Sequence, residues 1–161
     1  MLKLEPVRPE DDSFLFDVYV GTRRDEFAPL GWPEMQLTSF LRMQFDMQKR
    51  SYELQYPSAD HRLVSRGTER IGRIMTAETD DAIRLVDLSL LPEHRNGGVG
   101  SALLRDLRQS AERAGKPLRL NVLQHNPARR LYERFGFRVV GESFPYVEME
   151  WNDVGREVVP D

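Results

Sequence analysis

No cysteine occurs among the 161 residues. Disulfide staples, a thiol nucleophile and cysteine-ligated metal sites are therefore excluded, and the chain suits a reducing, cytoplasmic setting. Long apolar runs are missing as well. None approaches the roughly 20 residues of a membrane span, and Met1-Leu2-Lys3-Leu4-Glu5 has no apolar signal-peptide core, so no membrane partner is expected. Neither sign of charge dominates: 23 Lys and Arg stand against 26 Asp and Glu, a net charge of −3. The basic excess of a nucleic-acid binder is absent, and no nucleic-acid partner is expected. Histidines number three, and no His, Asp and Glu set has ligand spacing, so no metal is expected. There is no internal repeat or low-complexity segment.

What remains is ordinary globular material, 40% hydrophobic and 30% charged, long enough to bury a core. One domain over residues 1–155 is expected, with a flexible tail at 156–161. Alternation predicts a strand from Leu2 to Arg8, and Asp11 or Asp12 can cap a helix running to about Arg24. A long helix follows from about Glu34 to Tyr56, with Leu37, Leu41 and Phe45 spaced by four. Strands are expected at His61–Arg66, Arg70–Glu78 and Ala82–Leu91. Val99–Ala114 reads as an amphipathic helix stopped by Gly115, and Leu118–Leu123 as a buried strand. Asn126 caps a short helix that Pro127 opens and Gly136 ends, before strands at Phe137–Val140 and Tyr146–Trp151. The strand–helix–strand crossover makes residues 82–91 and 118–123 parallel within an otherwise antiparallel mixed sheet, with helices on both faces: an α/β (α+β) fold.

The most informative stretch is Pro92-Glu-His-Arg-Asn-Gly-Gly-Val-Gly-Ser-Ala-Leu-Leu104, a strand end, a glycine-rich loop and a helix start. Gly97, Gly98 and Gly100 let main-chain amides approach an anion and take positive φ, and Arg95 offers a guanidinium fork. A Rossmann loop would need a small residue where Leu103 stands and an acid where the strand ends in Gln124. A Walker loop would need Gly-Lys-Ser/Thr, which does not occur.

Arg95-x-x-Gly98-x-Gly100, the strand Leu88-Ser-Leu-Leu-Pro92 before it, and Asn126-x-Ala128, Leu131-Tyr132 and Gly136-Phe137 after it resemble, in order and spacing, the acetyl-CoA-binding core of the GNAT acetyltransferase superfamily. The match covers about residues 82–137. It implies the GNAT acyl-CoA N-acyltransferase fold, with a splayed parallel strand pair, and direct acetyl transfer from acetyl-CoA to a primary amine in a ternary complex. By position, Arg95, Asn96, Gly97, Gly98, Val99, Gly100 and Ser101 would hold the pyrophosphate. Leu88 and Leu90 would hold the thioester and pantetheine arm, and Asn126 and Arg129 would also contact the cofactor. Tyr132 would stand near the sulfur. The resemblance also implies a small-molecule or peptide amine as acceptor and makes a homodimer a common arrangement. A catalytically silent acyl-CoA sensor is the rival expectation.

The chemistry suits these residue types. At pH 7 only about 0.04% of a lysine-like amine is neutral, so a base or a water chain to one is needed. The thiolate leaving group needs an acid, which a tyrosine hydroxyl supplies, and the oxyanion needs a preorganised donor. In Ala82–Leu91 the apolar residues shift from odd positions (Ile83, Leu85) to even ones (Val86, Leu88, Leu90), as a bulge would cause. Asp87 and Ser89 then share a face. Asp87 is the candidate base, and its structural alternative is a partner for Arg84 or Arg119.

For the acceptor, Gln44, Gln48 and Tyr52 form a stripe along the long helix, and Glu26, Glu148 and Glu150 are possible anchors for a cation. Ser89 joins Glu26, Gln44 and Gln48 as a substrate-binding candidate.

Overall fold

The computed structural model describes residues 1–153; the expected tail at 156–161 lies outside the described residues. Among the described residues, seven strands and four α-helices follow the expected order: β1 (Leu2–Pro6), α1 (Asp12–Phe27), α2 (Glu34–Gln55), β2 (Asp60–Arg66), β3 (Glu69–Glu78), β4 (Ile83–Leu90), α3 (Val99–Ala114), β5 (Leu118–Leu123), α4 (Ala128–Arg134), β6 (Arg138–Ser143) and β7 (Tyr146–Trp151). Across the mixed sheet the order is β1-β2-β3-β4-β5-β7-β6, with β4 parallel to β5. The chain divides into two compact units: Met1–Met75 with Asp87–Arg95, and Thr76–Val86 with the described residues from Asn96 onward. Strands β3 and β4 contribute to both.

In the first unit, β1 pairs antiparallel with β2, from Leu2↔Arg66 to Pro6↔Arg62. β1 is shorter than the alternation suggested, because Pro9 opens a 3-10 turn that leads into α1. Asp11 stands at the N-cap of α1, but its carboxylate accepts the backbone N–H of Arg8 (2.8 Å) rather than capping the helix. Helix α1 runs a turn further than expected. The core here is Leu15, Tyr19, Leu37, Leu41, Phe45 and Leu63, with Phe14, Phe16, Phe27, Trp32 and Phe40 packed against it. The four-residue spacing of Leu37, Leu41 and Phe45 thus marks the buried face of α2.

In the second unit, β5 pairs antiparallel with β7 over its full length, and β7 with β6, where a register shift falls between Val139 and Gly141. Helix α3 buries Val99, Leu103, Leu104 and Ala111, and left-handed Gly115 (φ 68°) closes it. Ala114, placed on the apolar face by periodicity, is exposed at the helix end. The parallel pairing of β4 with β5 registers Ile83↔Leu118, Arg84↔Arg119 and Leu85↔Leu120 and stops there. It stops where the apolar alternation of β4 changes phase, at Val86.

Candidate active site

The glycine loop follows a 3-10 turn, Pro92–His94, and enters α3 at Val99. Two residues take the left-handed conformation, Asn96 (φ 61°) and Gly98 (φ 86°). Gly97 and Gly100, also expected there, do not; Gly100 instead brings the start of α3 near Leu131, whose Cδ2 would lie 3.5 Å from an added Cβ. Gly98 is the N-cap, and glycine brings no side-chain acceptor, so the first-turn amides of α3 have none from that position. This is the polarity that favours an anion.

Arg95 does not extend freely. Its Nε donates to the Leu90 carbonyl (3.2 Å) and its Nη2 to the Gly21 carbonyl (3.1 Å). The guanidinium thus ties the loop to the end of β4 and to α1. Gly21 is required there, since a Cβ would lie 2.8 Å from Pro92 Cδ. Gly72 has the same role in β3: a Cβ would collide with the Ser89 carbonyl oxygen and lie 3.0 Å from Leu90 Cα. The end of β4 therefore takes its position from a glycine on its neighbour.

Asp87 lies on β4 with Ser89, as the phase change implied. Ser89 Oγ donates to Asp87 Oδ1 (2.6 Å), and Arg73 Nη2 donates to Oδ2 (2.6 Å), with a longer contact from Tyr52 Oη (3.4 Å). The ion pair is shielded, with side-chain exposures of 7% for Arg73 and 12% for Asp87. The partner is thus neither Arg84 nor Arg119. Those two pair instead with Glu148 (2.8 Å) and Glu150 (3.0 Å). Both glutamates, possible cation anchors by sequence, are half-buried and engaged by arginine.

Of the acceptor-side candidates, Gln48 Oε1 accepts from the same Arg73 nitrogen (2.9 Å). Gln44 is half-buried, and Glu26 is exposed and pairs with Arg23 Nε (3.2 Å). In the second unit, Asn126 Oδ1 accepts the Ala128 N–H (2.8 Å), so its side chain starts α4. Arg129 Nη1 donates to the Gln124 carbonyl (3.3 Å). Tyr132 packs on Phe137 with ring centroids 5.8 Å apart.

The sequence profile of the acetyltransferase (GNAT) domain family matches residues 58–139. The chain belongs to the GNAT family. No match was found among curated protein sequences. Among solved structures, the PaiA N-acetyltransferase of Thermoplasma acidophilum in complex with coenzyme A superimposes with a TM-score of 0.72 at 20% identity, covering 94% of this chain and 99% of that one. An acetyltransferase of Thermus thermophilus gives 0.65 at 25% identity, with 93% and 96% covered. The ribosomal-protein-S18-alanine N-acetyltransferase of Escherichia coli gives 0.59 at 20%, with 94% and 93% covered. The GNAT fold is therefore shared along nearly the whole chain.

Arg73 and Gly72 were missed from sequence. Both carried a signal: a charge inside the apolar run Ile71–Met75 needs a partner, and a glycine inside a strand marks close backbone approach. Among the described residues, no cluster of His, Asp and Glu is arranged to hold a metal, and no helix is long and apolar enough to cross a membrane.

Proposed function

We propose that this GNAT chain transfers an acetyl group from acetyl-CoA directly to a primary amine on a small molecule or peptide, with residues 1–155 working as a single domain. The observation that carries this reading is the loop itself: left-handed Asn96 and Gly98 leading into the N-terminus of α3, within the family match. The likeness to a structure solved with coenzyme A supports it. The main-chain amides of residues 95–101 would bind the pyrophosphate, and Leu88 and Leu90 the pantetheine arm through their backbone. Arg95 would act by fixing the Leu90 carbonyl as well as by charge. Asn126 and Arg129 shape the start of α4 and would flank the cofactor.

Tyr132 would donate a proton to the departing thiolate. Asp87 would serve as the terminus of the amine's proton path. Both of its oxygens already accept hydrogen bonds, so the proton would arrive through Ser89 Oγ or Tyr52 Oη rather than from the amine directly.

Calorimetry with acetyl-CoA, together with CoA release against a panel of primary amines, tests the reading. Gly98→Asp should cut acetyl-CoA affinity at least tenfold in folded protein. Unchanged affinity would remove the loop from the site. Tight binding with no CoA release from any amine would make the chain an acyl-CoA sensor instead.

A further inference from the structure

Gly21 stands well inside α1 (Asp12–Phe27). Glycine is among the weakest helix formers, so its presence there needs a reason other than the helix. That reason lies across from it. An added Cβ would fall 2.8 Å from Pro92 Cδ and 3.2 Å from Pro92 Cγ. Both atoms belong to a ring closed on the main-chain nitrogen, so no rotamer change relieves the contact. The backbone of the turn would have to move instead.

The turn that Pro92 opens, Pro92–His94, leads directly into the glycine loop. Helix α1 holds this stretch a second time. Arg95 Nη2 donates to the Gly21 carbonyl (3.1 Å) while its Nε donates to the Leu90 carbonyl (3.2 Å). A helical carbonyl has two lone pairs and can accept a second donor in this way. Gly21 therefore meets both ends of Pro92–Arg95, the proline ring at one end and the guanidinium at the other.

The sheet fixes the residues just before. The Leu91 N–H donates to the Ile71 carbonyl (2.8 Å), and Gly72 leaves room for the backbone of Ser89 and Leu90. The chain is thus held from two sides up to Arg95, and the amides that follow take their direction from there.

We propose that Gly21 is a positioning residue for the cofactor loop. Through the Pro92 ring and the Arg95 guanidinium, α1 sets the pose of the main-chain amides that would receive the pyrophosphate. The inference rests on the acetyl-CoA reading of that loop, and it assigns Gly21 no contact with the cofactor.

The test titrates acetyl-CoA into the full chain and its variants by calorimetry, with thermal midpoints measured beside it. Gly21→Ala should weaken binding about tenfold in folded protein, because small displacements of preorganised groups are expensive. A purely structural glycine would move the midpoint and leave the affinity alone. Pro92→Ala removes both atoms that the new methyl would strike. By itself it should change affinity little, and combined with Gly21→Ala it should restore most of what was lost. Arg95→Lys keeps the charge but gives up the fork that spans two carbonyls, and it should weaken binding severalfold. That variant carries the test if Gly21→Ala does not fold. Parent-like affinity in Gly21→Ala or in Arg95→Lys would overturn the proposal, as would a loss that Pro92→Ala fails to restore. A parent chain that does not bind acetyl-CoA would instead remove the acetyl-transfer reading, and this inference with it.

Discussion

Arg73 Nη2 lies 2.6 Å from Asp87 Oδ2 and 2.9 Å from Gln48 Oε1, so one nitrogen joins α2 to two strands. Arg73→Met should destabilise the chain by about 3–5 kcal/mol, because it leaves a shielded carboxylate without its counter-charge. Arg73→Met with Asp87→Leu should recover much of that loss. Urea denaturation of the two single variants and the double variant completes the cycle, and a single-variant loss below about 1 kcal/mol would contradict the coupling.

Gly72→Ala should disturb the end of β4. The added methyl collides with the Ser89 carbonyl oxygen, which no side-chain rotation relieves. A loss of at least about 2 kcal/mol is expected, at or above the ordinary cost of overpacking. Gly141→Ala, whose Cβ would sit 3.8 Å from Glu148, is the control and should cost far less. Equal thermal midpoints for the two would be the contrary result.

Tyr132→Phe should lower turnover about tenfold or more while changing acetyl-CoA affinity only modestly, as for a lost proton donor. The ring contact with Phe137 is kept in this variant. Steady-state kcat beside calorimetric affinity separates the two effects; an unaltered kcat would leave Tyr132 a packing residue.

Acid should weaken the fold in two stages. Burial, followed by the charge of Arg73, pushes His61 down from 6.5 to about 4. Between those values the unfolded chain binds a proton that the folded chain refuses. The stabilisation is complete above about pH 6.5 and is lost as pH falls toward 4. The full shift corresponds to roughly 3 kcal/mol, and solvent screening of a partly exposed ring reduces this to about 1–2 kcal/mol. Asp12, held low by Arg42, contributes only at still lower pH. His61→Gln should flatten the upper stage in pH-dependent denaturation and leave the lower one.

Element order and type were readable because the signals were local. The apolar spacing of α2, the glycine after α3 and the crossover between β4 and β5 each depend on neighbours in sequence. The glycine loop was legible for the same reason. Side-chain partnerships were not. Asp87 could be placed on a face with Ser89, but Arg73 lies 14 positions away, and only strand pairing brings the two together. Arg84 and Arg119 looked equally suitable as partners until pairing with β7 set Arg119 opposite Glu150. The motif around Arg95 points to a ligand group, while its two carbonyl acceptors, one 74 residues distant, lie outside that motif.

Helix α2 serves two places with one screw axis. Gln48 and Tyr52 reach the Arg73–Asp87 pair, while Phe45, Lys49 and Tyr52 line a cavity of about 570 Å³ in the first unit. Inserting a single amino acid ahead of Phe45 would turn every later position by about 100°. Both groups would be dismantled together, so redesign of this region has to proceed by exchanging side chains at constant helix length.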